Sequence, residues 1–303
     1  MSHFLLDRIS RSFYKLIYKI FFPKALHHNR RYWPFYKAER DQQQRLHKIY
    51  YKKQLVSSNE IREQKAQNKK CMLITTGPSI QTLDPKLLQQ PDIDYIGVNG
   101  AISLDTIQFS SYVIIDHNFI MQRFDLVQKV LQTNCTFFTT PRCLDEILKR
   151  FQFKNIHCKI QTIETITSGT VETFLGPVKQ FNSQDQDFFI YNKFGFSKDI
   201  YKGTFDYFTV AYVALQIIYA FNYKEIYIAG LDMNNFSQPR FYENKNNKQP
   251  TMLDHHTTEI FQAFTAAAQL FQDHQIKVWN LSLNSTVNSF EKIDAKYILN
   301  IKK

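Results

Sequence analysis

The sequence predicts an α/β fold: a Rossmann-like, mostly parallel sheet with helices on both faces. Three observations lead there. Short apolar runs alternate with helical patterns from Cys71 onward, the rhythm that builds parallel sheets. Two of these runs stop at glycine beside a small polar residue, Met72-Leu73-Ile74-Thr75-Thr76-Gly77-Pro78-Ser79 and Tyr95-Ile96-Gly97-Val98-Asn99-Gly100. No internal repeat competes with this reading.

The first 22 residues form the first element. Phe4, Leu5, Ile9, Phe13, Leu16, Ile17, Ile20 and Phe21 recur at helical spacing, Arg8, Arg11, Lys15 and Lys19 line another face, and Pro23 ends the helix. A basic, aromatic stretch follows from His28 to Lys37. A basic helix with a bulky apolar face beside Trp33 and Tyr36 suits an anionic membrane interface, or packing on the body or a second subunit. Residues 1–70 hold 17 Lys and Arg against 5 Asp and Glu, whereas the other 233 hold 21 against 22, so the chain's charge of +11 belongs to this quarter. A nucleic-acid enzyme would carry basic charge around its site as well. Residues 38–69, charged and Gln-rich, read as a helical or loose connector.

In the body, strand 71–76 leads to a helix opened by the N-cap pair Asp84-Pro85. Then come strands 93–98 and 111–116, a helix near 119–132, strand 135–139, a helix near 142–151 and a strand at 155–160. Residues 161–203 read as an irregular lid or acceptor-binding segment. Helix 205–221, strand 225–229, a helix near 254–273 and strand 276–279 complete the pattern. The uncharged span Tyr207–Tyr223 is short for a membrane crossing and contains Gln216, so it reads as a buried core helix. Charges interrupt the first apolar stretch, which argues against a signal peptide. The cysteines, Cys71, Cys135, Cys143 and Cys158, show no metal or redox spacing and fit reduced thiols in the cytoplasm.

In parallel sheets ligands sit beyond the strand carboxyl ends, where Thr76, Gly77, Pro78, Ser79, Asn99, Gly100, Asp116, His117, Gly230 and Asp232 fall. Bare backbone N–H groups after the Gly77-Pro78-Ser79 turn could hold a phosphate, or the turn could be simply a turn. It is neither a P-loop nor G-x-G-x-x-G. Asp92/Asp94 and Asp185/Asp187 form D-x-D patterns, the first before a strand and the second in a Gln-rich stretch, poor places for a metal. His255-His256 diverge on a helix, but one of them at its start could serve as a general base.

Several motifs carry a family resemblance. Gly195-Phe196-Ser197-Lys198-Asp199-Ile200, the helix Thr209–Tyr219, and Gly230-Leu231-Asp232 followed by Arg240-Phe241-Tyr242-Glu243 resemble the lipopolysaccharide-core transferases of 3-deoxy-manno-octulosonic acid (Kdo). Gly77-Pro78-Ser79 and Tyr223–Asp232 resemble, more distantly, the bacterial sialyltransferases of glycosyltransferase family 42. The resemblance covers roughly 71–285. It implies a Rossmann-like, GT-A-variant transferase domain over 71–303 behind a basic, membrane-associating helical region over 1–70.

The resemblance further implies an inverting, metal-independent transfer of Kdo from its CMP ester to a lipopolysaccharide or lipooligosaccharide core acceptor. No cofactor is then needed beyond the CMP-sugar donor. Thr76, Gly77, Pro78, Ser79, Asn99, Gly100, Asp116, Thr209, Gly230 and Asp232 would face that donor, with Val210 and Ala211 standing where the sialyltransferases have Ser and Gly. Thr167-Ser168-Gly169 carries that triplet literally but lies about forty residues too early. Tyr242, with Arg240, would steady the leaving phosphate, and His255 or His256 would be the base. The partners implied are the CMP-sugar, a lipid-linked oligosaccharide, an anionic inner-membrane surface contacted through residues 1–37 on the cytoplasmic side, and a second copy of the chain, but no nucleic acid. A CMP-sialic-acid-dependent transferase, a pterin pyrophosphokinase-like enzyme and a membrane-docked scaffold are the alternatives.

Overall fold

The structure, a computed structural model, describes residues 2–59, 68–234 and 236–300. Helix α1 (Ser2–Phe21) ends just before Pro23, as its pattern predicts, and 3₁₀ turns over Lys24–Arg31 follow. Phe13, Leu16, Ile20 and Phe21 are exposed, while Tyr18 is buried and stacks on Phe22.

Of the connector expected over 38–69, residues 60–67 lie outside the described residues, and the part before them belongs to a three-stranded antiparallel sheet, β1 (Tyr36–Arg40), β2 (Leu46–Tyr51) and β3 (Gln54–Ser58). Leu46, Ile49 and Val56 supply its buried face, and such sparse apolar positions among charges hide the strand period. Polar groups join this sheet to the body. Arg40 pairs with the buried Glu164 at 2.5 Å, and Asn59 donates to the Thr162 carbonyl while accepting from the Thr162 N–H.

The body is an eight-stranded, wholly parallel sheet. Its first half contains β4 (Lys70–Ile74), β5 (Ile93–Val98), β6 (Phe109–Ile114), α2 (His117–Gln122), α3 (Phe124–Leu131), β7 (Thr136–Thr139), α4 (Pro141–Arg150) and β8 (Lys159–Thr162). The helix expected after Asp84 is a 3₁₀ turn, Pro85–Gln89, with Asp84 accepting the Lys86 N–H. The long helix near 119–132 is two helices, broken at Arg123.

Residues 161–203 are not irregular. They form short strands β9 (Thr165–Thr167), β10 (Thr170–Val171) and β11 (Lys179–Gln180), then a hairpin of β12 (Phe188–Tyr191) and β13 (Phe194–Ser197). After β14 (Thr204–Phe205) come α5 (Val210–Ala220), β15 (Glu225–Ala229), α6 (Thr257–Asp273), β16 (Lys277–Asn280), β17 (Glu291–Lys292) and α7 (Lys296–Asn300). The last two are additions to the expected pattern.

The sheet order is β17-β16-β15-β4-β5-β6-β7-β8, so the order in which strands are added reverses between β4 and β15. Alternation along the strands divides the core. Cys71, Leu73, Ile96, Val98, Val113, Ile226 and Ile228 pack against α5 and α6, whereas Met72, Ile74, Tyr95, Tyr112, Ile114 and Ala229 face the other layer. Helix α5 is buried almost all round. Its one strongly polar side chain, Gln216, accepts from the Ser197 and Phe205 N–H groups and donates to the Phe205 carbonyl. Among the described residues no helix is long and apolar enough to cross a membrane. All four cysteines are free and buried, and burial pushes their thiols up.

Candidate active site

A cavity of about 740 Å³ opens at the carboxyl ends of β4, β5, β6 and β15, where the strand order reverses. That is the place a doubly wound sheet leaves for a ligand. Of the expected site residues, Thr76, Gly77, Pro78, Asn99, Asp116, Thr209, Gly230, Asp232, Arg240 and Tyr242 line it. Residues more than 150 positions apart thus meet in one pocket.

The Gly77 turn packs against the end of β15. Gly77 N–H donates to the Gly230 carbonyl at 2.9 Å, and a Cβ on Gly77 would stand 2.3 Å from that oxygen. Gly230 has φ +77°, in the left-handed region that glycine enters without strain. Ser79 is outside the cavity lining: its N–H and hydroxyl both donate to the Asp232 carboxylate, and the hydroxyl also meets Ser282. The Gly77 and Ser79 N–H groups are therefore not the bare phosphate donors the sequence suggested, because Gly230 and Asp232 take both. The turn serves instead to position Asp232.

Asn99 holds φ +46°, and its carbonyl accepts from the buried Tyr112 hydroxyl at 2.7 Å. Its side-chain oxygen is buried without a hydrogen-bond partner. Gly100 lies beneath the Tyr242 ring, where a Cβ would be 2.2 Å from the ring carbon. Asp116 caps α2 by accepting the Asn118 N–H at 2.8 Å. Beside it His117 also lines the cavity, and partial burial together with the Arg142 guanidinium lowers its pKa.

On the far wall, Thr209, Val210 and Ala211 present the N-terminal turn of α5 to the cavity. The first N–H groups of a helix have no intrahelical acceptor and attract anions. Tyr242 packs under Arg123, whose guanidinium lies 5.3 Å from the ring centre, and burial pushes the phenol up to about 12. It remains a hydroxyl donor at neutral pH. Arg240 is held by Glu243 at 2.8 Å, and Lys248 is anchored on the Phe236 and Ser237 carbonyls.

Neither His255 nor His256 lines the cavity. His256 stacks on Phe208 with ring centres 3.5 Å apart, and its Nδ1 is 2.8 Å from Glu259. His255 is exposed near Asp254. The D-x-D pairs have other work: Asp94 holds Asn68 and Tyr223, Asp92 lies 3.8 Å from Lys70, and Asp185 and Asp187 both bind Lys202. Gly169 of Thr167-Ser168-Gly169 is at the β9–β10 turn, away from the cavity.

Asp206 lines the cavity and was not among the expected site residues. Its Oδ1 is shielded from solvent and has no hydrogen-bond partner. Burial and the charge of Asp116 raise its carboxyl to about 6, against the partial opposition of the Phe208 N–H. The sequence pattern placed Asp206 in the first turn of a helix beginning at 205. The helix begins only at Val210, and Phe208, at φ +61°, turns the chain between them.

Comparison with known proteins falls on one part of the chain. Residues 191–295 match the family described as 3-deoxy-D-manno-octulosonic acid transferase WaaZ. Two proteins described as probable 3-deoxy-manno-octulosonic acid transferases, from Salmonella typhimurium and Escherichia coli K12, are each 33% identical over 94 residues, 31% of this chain. The chain spans about a third of their length, 34% and 32%. Among solved structures, the MAf glycosyltransferase from Magnetospirillum magneticum is 12% identical over 76% of this chain and 34% of its own, with a TM-score of 0.46. The sialyltransferase CstII from Campylobacter jejuni, in complex with cytidine-5'-monophosphate, is 16% identical over 75% of this chain and 86% of its own, with a TM-score of 0.43. The matched segment contains α5, β15, Asp206 and the cavity wall from Gly230 to Leu253. Over residues 191–295, the chain is therefore similar to the Kdo transferases, as its motifs led us to expect.

Proposed function

We propose that this chain is an inverting glycosyltransferase that moves Kdo from its CMP ester to a lipopolysaccharide-core acceptor. The observation that carries this reading is the cavity at the sheet reversal, which brings the α5 N-terminus, the unpartnered Asn99 oxygen and the protonated Tyr242 hydroxyl together. Helix N–H groups and a phenol suit the phosphate of a departing CMP. The acceptor hydroxyl attacks the anomeric carbon, its proton passes to a base, and CMP leaves from the opposite side. The leaving charge rests on N–H and O–H donors, so the scheme asks for no metal ion in that role. Asp206, which lines the cavity, is one candidate for that base; His256, the base the sequence suggested, stacks on Phe208 outside the cavity lining.

The acceptor is lipid-linked in this reading, which gives α1 a purpose. Its exposed Phe13, Leu16, Ile20 and Phe21, with the basic residues through Lys37, would lie in the anionic cytoplasmic face of the inner membrane. Incubating the protein with CMP-Kdo or CMP-sialic acid, with and without a lipid A-type acceptor, tests the donor: CMP release should require CMP-Kdo and acceptor. Release with CMP-sialic acid alone would make it a sialyltransferase, and release with neither donor would end the transferase reading. Asn99→Ala should weaken CMP binding. Removing residues 2–22 should move the protein from vesicles of anionic lipid to the supernatant.

A further inference from the structure

We propose that Asp206 is the general base of this transfer, the group that takes the proton from the acceptor hydroxyl. The inference rests on the transferase reading above and deepens it.

Three other buried carboxylates among the described residues are satisfied. Glu164 is held by Arg40 and the Phe174 N–H, Glu243 by Arg240, and Asp94 by Asn68 and the Tyr223 hydroxyl. Asp206 lines the cavity, and its shielded Oδ1 has no hydrogen-bond partner. An orphaned buried acceptor is costly, so its persistence in a concave site points to a donor that arrives with the ligand.

Its placement is determined on both sides. The Asp206 N–H donates to the Ile166 carbonyl at 3.2 Å, ending the parallel pairing of β14 with β9. Two residues later Phe208 adopts φ +61°, uncommon for a bulky side chain, and its ring is clamped on His256. This strained turn separates the carboxylate from the α5 N-terminus. The side that would receive the acceptor proton and the side that would receive the leaving phosphate are thus built by one short segment, Asp206–Ala211.

The other ionisable groups round the cavity are Asp116 and His117 after β6, Asp232 after β15, and Arg240, Tyr242, Glu243 and Lys248 in the following loop. Ser79 occupies Asp232, Glu243 pairs with Arg240, and carbonyls hold Lys248. Asp116 is the neighbour whose charge acts on Asp206, and it favours the protonated form. A carboxyl raised to about 6 is ionised at neutral pH yet basic enough to accept a proton in the transition state.

In the step itself an Asp206 carboxylate oxygen takes the hydroxyl proton. The acceptor oxygen forms the new bond to the anomeric carbon of the sugar acid. The bond from that carbon to the CMP phosphate oxygen breaks, and its electron pair leaves with CMP. Asp206 then releases the proton to water, so the products are the glycoside, CMP and one proton.

The test uses the full chain with CMP-Kdo and a lipid A-type acceptor, comparing wild type, D206N, D206E and H256Q, with CMP affinity measured by calorimetry. D206N should lower kcat about 100-fold or more while CMP affinity stays within about threefold. Wild-type kcat/KM should rise with pH up to about 6, and D206N should lose that rise, which a purely structural role would leave in place. D206E, which keeps a carboxylate, should retain more turnover than D206N, and H256Q should keep the wild-type rise of kcat/KM with pH. Wild-type turnover in D206N, or transfer of the large loss and the pH effect to H256Q, overturns the assignment while leaving the transferase intact. Failure of the wild type to bind CMP or use either donor overturns the transferase reading, and this assignment with it.

Discussion

The two walls of the cavity are built on opposite principles. The wall after β4 and β15 is closed on itself: Gly77 donates to Gly230, and Ser79 donates twice to Asp232. The wall at the start of α5 is left open, with Asp206 Oδ1 unpartnered and Thr209, Val210 and Ala211 of the first turn lining the pocket. One wall uses its polar groups to hold a shape, and the other leaves Oδ1 of Asp206 without a partner. Polar residues at strand ends therefore do not all have the same meaning, since hydrogen bonds made within the protein are unavailable for recognition.

The sharpest way to break this contrast is Gly77→Ala. A Cβ 2.3 Å from the Gly230 carbonyl forces backbone apart, so the variant should lose about 3 kcal/mol in denaturant unfolding. An unchanged midpoint would show that the wall is not closed. Next, Asp232→Ala strands both Ser79 donors and should cost about 2 kcal/mol, with a smaller loss if water replaces the carboxylate.

The open wall should respond in the opposite sense. Asp206 is about 6 when folded against an ordinary value of 3.8, so between those pH values the native state binds more protons than the unfolded chain. Its contribution to stability is consequently fully present below about 4, falls as pH rises to about 6, and is an unchanging penalty above that. Solvent reaching the carboxyl through the cavity mouth weakens the effect. Asp206→Asn should stabilise the protein by about 1.5 kcal/mol at pH 8 and by much less at pH 4, measured as paired melts. A variant less stable than wild type at pH 8 would place Asp206 on the structural side of the comparison.

Tyr242→Phe should have the smallest effect on stability, below about 0.5 kcal/mol. It should nevertheless slow transfer about tenfold, equivalent to about 1.4 kcal/mol of transition-state stabilisation. Equal turnover in the two proteins would remove the phenol from the leaving-group side.

Much of the site was legible before the fold. Thr76, Asn99, Asp116 and Gly230 stand at the ends of apolar runs, and a parallel sheet must gather such ends on one edge. Their local roles were less legible. Ser79 reads as a phosphate ligand because its partner, Asp232, is 153 residues away and no local pattern announces that bond. Asp206 escaped because Tyr207 to Tyr223 is apolar enough to look helical from its first residue, and a positive φ at Phe208 has no signal in a phenylalanine. The sheet of β1–β3 escaped for another reason. Its strands bury one face against the body through a few residues such as Leu46, Ile49 and Val56, too few to set a clear period.

The sequence by itself determined the alternation of strands and helices, the burial of α5 and the two-faced character of α1. These follow from hydrophobic periodicity, a local property that each segment carries alone. The tertiary structure alone decided that the strand order reverses between β4 and β15, which side of each strand-end turn faces the cavity, and which polar groups remain unpaired there. Hydrogen-bond satisfaction is a long-range property, settled only when Gly77 meets Gly230, Ser79 meets Asp232, and Oδ1 of Asp206 is left without a partner.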